Sequence, residues 1–228
     1  MDMMGKNNRA GTPYFKKHSK ELDQQVSKEV FCQFCHLLYA KGLVTGSGGN
    51  LSVRVGADFL VTPSGHSLRV ITRDSIVTVN IDGKVLDRGT PTMELGMHLG
   101  ILRARTDIDV VCHVHGCHII AVSALMKPGP ESIPPITPGF VHFAHPLTMI
   151  PFMVPGTEGL AKAVMEYFAV STGNALLLQN HGLVTIGKSF QDVLNIAEEI
   201  DEAAKIWLLT SGRAKVIQPD HLREIKNS

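Results

Sequence analysis

Val110-Val111-Cys112-His113-Val114-His115 is an apolar run broken only by histidines, and its length and valine content suit a buried β-strand. Side chains alternate between the two faces of a strand, so His113 and His115, two apart, project from the same face. Two imidazoles placed in this way suit one tetrahedral or octahedral metal, with a third ligand from elsewhere and open positions for substrate and water. His181, which ends the apolar stretch of residues 175–179 in Leu178-Gln179-Asn180-His181-Gly182, is the best third candidate. An H-x-H pair alone is a weak signal. A hydrogen-bonded pair at a strand end is the plain alternative, and both readings stay open here.

Upstream of this run, residues 19–41 carry Leu22, Val26, Val30, Phe34, Leu37 and Leu38 at helical spacing, with Gly42 as a stop. The glycine-rich Gly46-Ser47-Gly48-Gly49-Asn50 then feeds an alternating strand over 51–55, and a second short strand over 59–62 closes at Pro63-Ser64-Gly65. Residues 76–80 and 84–86, joined by Asp82-Gly83, predict a hairpin. Thr92 is placed to cap a helix carrying Leu95, Leu99 and Leu102. Downstream, a short helix contains Ile119, Ile120 and Leu125, and the proline- and glycine-rich stretch 128–155 reads mostly as loop and extended chain. A helix over 160–168, the strand at 175–179 and its hairpin partner at 182–187 follow. Ser189 with Asp192 forms a variant capping box that opens a long helix through Trp207. The alternation predicts a single α/β domain over 21–228, its mixed or antiparallel sheet flanked by helices, after a loose polar leader at 1–20.

The formal net charge of +1, without blocks of like charge, excludes the basic stripe of a nucleic-acid binder and the basic amphipathic helix of a membrane-surface protein. No apolar run approaches the roughly 20 residues of a transmembrane helix, and no secretory h-region opens the chain. Four scattered cysteines do not make a disulfide framework, which points to a reducing, cytoplasmic setting.

Glu94, in Pro91-Thr92-Met93-Glu94, stands at a helix start, where acids often serve only the helix dipole; a catalytic carboxylate is the sharper reading. Asn50 can cap a turn or donate to an anion. Backbone N–H groups in its glycine-rich loop and near Thr92 suit phosphate, although the loop matches neither the Walker A nor the dinucleotide pattern. Three features fall to structural readings. Cys32 and Cys35 lie mid-helix and read as packing. His98, four residues after Glu94, reads as a hydrogen-bonded packing residue. Ser64, Ser123 and Ser132 lack the context of a serine hydrolase.

Five of these motifs occur in one order: Gly46-Ser47-Gly48-Gly49-Asn50-Leu51-Ser52, Thr62-Pro63-Ser64-Gly65, Pro91-Thr92-Met93-Glu94, His113-Val114-His115 and Asn180-His181-Gly182-Leu183. Together they resemble the class II aldolase/adducin family over nearly the whole chain. The resemblance implies an α/β/α sandwich with a largely antiparallel central sheet. It implies one divalent metal per subunit on His113, His115 and His181, zinc before manganese, cobalt or iron, with Glu94 as catalytic acid/base. Ser47, Gly49, Asn50, Ser64, Gly65 and Thr92 match the family's phosphate-binding positions. It implies a homotetramer acting on a sugar phosphate or sugar-acid phosphate, with no nucleic-acid or membrane partner. The expected activity is retro-aldol cleavage of a phosphorylated ketose, like fuculose-phosphate aldolase, through a metal-stabilised enediolate. Decarboxylation of a 3-oxo-tetronate 4-phosphate-type acid is the alternative, and a non-catalytic adducin-like module is the alternative of another class. Family epimerases carry Asp where this chain has Glu94. Met93 replaces a phosphate-binding serine of the aldolases. The segment 132–138 lacks the aldolase tyrosine, for which His142 and His145 are the candidate replacements.

Overall fold

A computed structural model describes residues 27–227; the expected leader at 1–20, and Leu22 and Val26 of the first expected helix, lie outside the described residues. Within them that helix, α1, runs Lys28–Ala40, and the Ser27 hydroxyl caps it by accepting from the Val30 N–H. It buries Phe31, Cys32, Phe34, Cys35 and Leu38, and Phe34 stacks on Phe190 with ring centroids 4.6 Å apart. Each such side chain is worth about 1.5–3 kcal/mol of burial. Cys32 and Cys35, expected as packing residues, are core, and all four cysteines are free thiols.

Seven strands follow: β1 (Asn50–Val55), β2 (Asp58–Val61), β3 (Val77–Val79), β4 (Val110–Val114), β5 (Thr148–Ile150), β6 (Ala175–Leu178) and β7 (Gly182–Gly187). They form one sheet in the order β3-β2-β1-β4-β7-β6-β5. The sheet is mixed, because β5 joins β6 in parallel while every other pairing is antiparallel. The predicted strand at 84–86 contributes only an isolated bridge from Val85 to Val79.

The helices are α2 (Leu95–Ala104), α3 (Cys117–Leu125), α4 (Pro138–Phe143), α5 (Glu158–Val170), α6 (Phe190–Leu209) and α7 (Pro219–Lys226). Alternation along β4 sends Val110, Cys112 and Val114 into one apolar layer with residues of α1, α3, α4 and α6. Val111 enters the opposite layer with residues of α2 and α5. The result is an α/β/α sandwich. The predicted capping box holds: Ser189 accepts from the Asp192 N–H and Asp192 accepts from the Ser189 N–H. Among the described residues, no helix is long and apolar enough to cross a membrane.

Register is what positions the site. β1 and β7 flank β4, and Asn50 stands directly opposite His113. Val114 pairs with Leu183 across the other edge, which brings the β6–β7 turn bearing His181 to the end of β4. Helix α2 crosses the same face, and Glu94 occupies its N-cap. Thr92 is thus not the cap expected from the sequence; it lies two residues before the cap, and its hydroxyl accepts from the Glu94 N–H.

Candidate metal centre and active site

His113 is fully buried, and its Nδ1–H donates to the Leu183 carbonyl at 3.0 Å. That bond fixes the tautomer and leaves Nε2 as a lone pair. Nε2 of His115 lies 2.8 Å from it and Nε2 of His181 3.2 Å from it. The ligand nitrogens of the three histidines lie within 4.8 Å of one another. His115 is held by its own N–H, which donates to the Leu43 carbonyl just after β4 ends. His181 sits in a tight turn in which Asn180 adopts φ 54°, and the Asn180 N–H donates to the Ser123 hydroxyl at 3.0 Å. Ser123, dismissed as a nucleophile, thus steadies the loop of the third histidine. Only the tertiary fold could show that.

Two glycines make room for these rings. A Cβ at Gly48 would lie 2.6 Å from His115 Nδ1, and one at Gly182 would lie 2.4 Å from the Val114 carbonyl and 2.8 Å from His115 Cδ2. Burial holds the imidazoles neutral. It depresses His113 well below the ordinary histidine value, helped by the facing His181. It pushes His115 down to about 3, with His113 and His181 adding to the effect. It lowers His181 against the opposing pull of Glu94. Neutral bases are what a divalent metal requires of its ligands. The converging lone pairs and the glycine cradle fit such an ion.

Glu94 is 5% exposed. Its Oε2 lies 3.3 Å from His113 Nε2 and accepts from Asn50 Nδ2 at 2.8 Å. Oε1 is 3.7 Å from His181 Nε2, and it is buried without a hydrogen-bond partner. The Asn50 oxygen receives the ring of His98, whose other nitrogen meets the Ser52 hydroxyl at 2.7 Å. Burial brings His98 down to about 4 although Glu94 pulls the other way, so it too is neutral near pH 7.

Glu94, Asn50, His115 and His181 line a pocket of about 270 Å³ that also takes in Ser47, Gly49, Ser64, Gly65, Thr92 and Pro155. All six expected phosphate positions are therefore gathered at one wall. Among the described residues, no lysine or arginine lines it. The backbone N–H groups of Gly48, Ser64 and Thr92 already donate to the Thr45, Thr90 and Thr62 carbonyls, which leaves the Ser64 and Thr92 hydroxyls and the Ser47 and Gly49 amides for an anion. Met93 stands at the rim, 71% exposed. His142 and His145, the candidate tyrosine replacements, lie elsewhere. They line a separate depression with Tyr167, Asn174 and Lys226, and His142 Nδ1 donates to the Ile225 carbonyl.

The sandwich brings three histidines and a carboxylate together where β4 ends beside the β6–β7 turn, an arrangement able to hold a metal ion. Comparison with known proteins gives the family. Residues 29–208 match the model of the class II aldolase and adducin N-terminal domain, and the chain belongs to that family. The 3-oxo-tetronate 4-phosphate decarboxylase of Haemophilus influenzae is 29% identical over 88% of this chain and 96% of its own. The L-fuculose phosphate aldolase of Methanococcus maripaludis is 33% identical over 77% of this chain and 93% of its own. Among solved structures, YgbL of Escherichia coli superposes with a TM-score of 0.82 at 28% identity, covering 87% of this chain and 97% of that one.

Proposed function

We propose that this chain is a divalent-metal-dependent carbon–carbon lyase acting on a phosphorylated ketose or sugar acid. The observation that carries the proposal is the convergence of three neutral imidazole nitrogens beside one buried carboxylate, at the wall of a pocket rich in glycine amides and hydroxyls. His113, His115 and His181 would hold a divalent ion, zinc before manganese, cobalt or iron, which would supply Lewis-acid polarisation of a substrate carbonyl. Glu94 moves the proton, Oε1 being its uncommitted oxygen. Ser47, Gly49, Asn50, Ser64, Gly65 and Thr92 hold the phosphate by neutral donors. The proposal includes a cytoplasmic homotetramer without nucleic-acid or membrane partners. The non-catalytic adducin-like reading would leave a buried carboxylate and three convergent lone pairs without a use.

The two activities named for the relatives share a half-reaction. Retro-aldol cleavage of a ketose 1-phosphate between the carbons α and β to its carbonyl and decarboxylation of a 3-oxo-tetronate 4-phosphate both leave the enediolate of dihydroxyacetone phosphate. Both finish when an acid protonates its carbon. Retro-aldol cleavage is the first reading, and there Glu94 must also take the hydroxyl proton of the departing aldehyde. Decarboxylation is favoured by a specific observation: among the described residues no tyrosine lines the pocket, and Glu94 is its one acid. Loss of carbon dioxide needs no base, so one proton donor suffices.

The zinc-loaded protein should exchange the hydroxymethyl hydrogens of dihydroxyacetone phosphate with deuterium oxide, followed by proton NMR. Under the first reading it should also condense that ketone with an aldehyde; under the second it should release carbon dioxide from 3-oxo-tetronate 4-phosphate. Absence of exchange and of both products would remove the lyase reading.

A further inference from the structure

One line of hydrogen bonds runs inward from the Glu94 carboxylate through three further buried residues. Ser52 and His98 are completely buried, Asn50 is 8% exposed and Glu94 5%. Donor and acceptor chemistry gives the line a single direction. The Asn50 Oδ1 only accepts, so the His98 Nε2 that meets it carries the hydrogen. Nδ1 of the neutral ring is then a lone pair, and the Ser52 hydroxyl donates to it at 2.7 Å. The Asn50 amide, its oxygen turned toward His98, points Nδ2 at Glu94 Oε2, 2.8 Å away. An amide does not pass a proton along, so this line holds groups in place and moves no charge. Its far end is asymmetric, since Oε2 is bound and Oε1 is buried without a partner.

We infer that His98, seated by Ser52, is a positioning residue: it fixes the amide of Asn50, anchors Glu94 through Oε2, and leaves Oε1 as the oxygen that exchanges protons with substrate. The inference rests on Glu94 being the acid/base of the proposed reaction. It also gives Asn50 a task apart from phosphate, with one Nδ2 hydrogen spent on the carboxylate.

The test uses the zinc-loaded protein and deuterium exchange into dihydroxyacetone phosphate. His98→Leu keeps the bulk and removes the donor; it should lower kcat by about 10- to 100-fold, with KM and zinc content nearly unchanged. His98→Gln, which can still donate to the Asn50 oxygen, should recover most of that loss. In a Glu94→Gln background His98→Leu should cost nothing further, because its effect passes through Glu94, whereas a general structural loss would add. In the wild-type protein, nitrogen NMR should show His98 as the neutral Nε2–H tautomer. A Nδ1–H tautomer, additive losses, or full kcat in His98→Leu would overturn the inference. Full exchange in Glu94→Gln would instead overturn the acid/base reading beneath it. Should His98→Leu not fold, Ser52→Ala carries the test, with a several-fold loss in kcat expected and unchanged kcat refuting the role.

Discussion

Glu94 presents its two oxygens to different neighbours, Oε2 to Asn50 and His113, Oε1 to His181 alone and at 3.7 Å. A group anchored on one side and unpartnered on the other is suited to carrying a proton without losing its place. Glu94→Gln keeps the shape and removes the titratable oxygen. Turnover should fall by about two to four orders of magnitude while metal content, measured by atomic absorption, stays at the wild-type level. A variant that still turns over at near wild-type rate would take Glu94 out of the chemistry. At this scale the sequence was informative about identity and poor about partners. His113 and His115 show themselves by strand alternation, and His181 by closing a second apolar strand. Ser52 and His98 occupied a strand and a helical position with no hint that they meet, since that contact joins residues 46 apart in sequence. Ser123 was invisible for the same reason, its bond to Asn180 spanning 57 residues.

The β6–β7 turn is the element on which the metal centre depends most tightly. A methyl group at Gly182 would meet the Val114 carbonyl at 2.4 Å, and backbone cannot move aside as a flexible side chain can. Gly182→Ala should therefore push the turn, and His181 with it, away from β4. The expected cost is about 1–3 kcal/mol in denaturant unfolding together with weakened zinc affinity in a competition titration; unchanged affinity would show that the turn relaxes without moving the histidine. At the opposite edge Asp87 ties β3 to α1. Its carboxylate accepts from the Thr78 N–H at 3.0 and 3.1 Å, from the Thr78 hydroxyl at 2.6 Å and from Lys28 Nζ at 2.7 Å. Burial acts to raise its pKa, but the bonds from Lys28 and Thr78 outweigh it and hold the carboxyl well below its usual range. A depressed carboxyl stabilises the fold above the unfolded pKa, about 4, and that contribution is lost as pH falls through the folded value. Asp87→Asn should thus cost roughly 1 kcal/mol at pH 7, the group being partly exposed, and the difference from wild type should shrink below about pH 4. A difference independent of pH would mean that the charge is not what ties the two elements.

The elements the sequence did not resolve share a cause. Helix α4 has six residues, too few to display a period, although Thr137 caps it and Pro138 opens it as expected of a helix start. Strand β5 has three residues and owes its existence to pairing with β6, a long-range partner. Helix α7 has eight residues, little more than two turns and too few to display a period. Long amphipathic elements were legible because burial imprints a period on them; short ones held by distant partners were not.

At the scale of the whole molecule, two apolar layers hold a sheet whose central strand delivers its histidines to one end, and the glycine cradle keeps them close. Without an ion the nitrogen lone pairs converge with nothing between them. Chelation should therefore lower the melting temperature, by roughly 5–11 °C relative to protein with free zinc about a hundredfold above its Kd. A scan showing no shift would deny the metal a place in the folded state. The most direct measurement is a zinc titration of the stripped protein, followed by deuterium exchange into dihydroxyacetone phosphate. Exchange should be absent without metal, rise in proportion to added zinc and break at one equivalent per chain. Full exchange in the metal-free protein, or no break at one equivalent, would contradict a single metal on His113, His115 and His181 working beside Glu94.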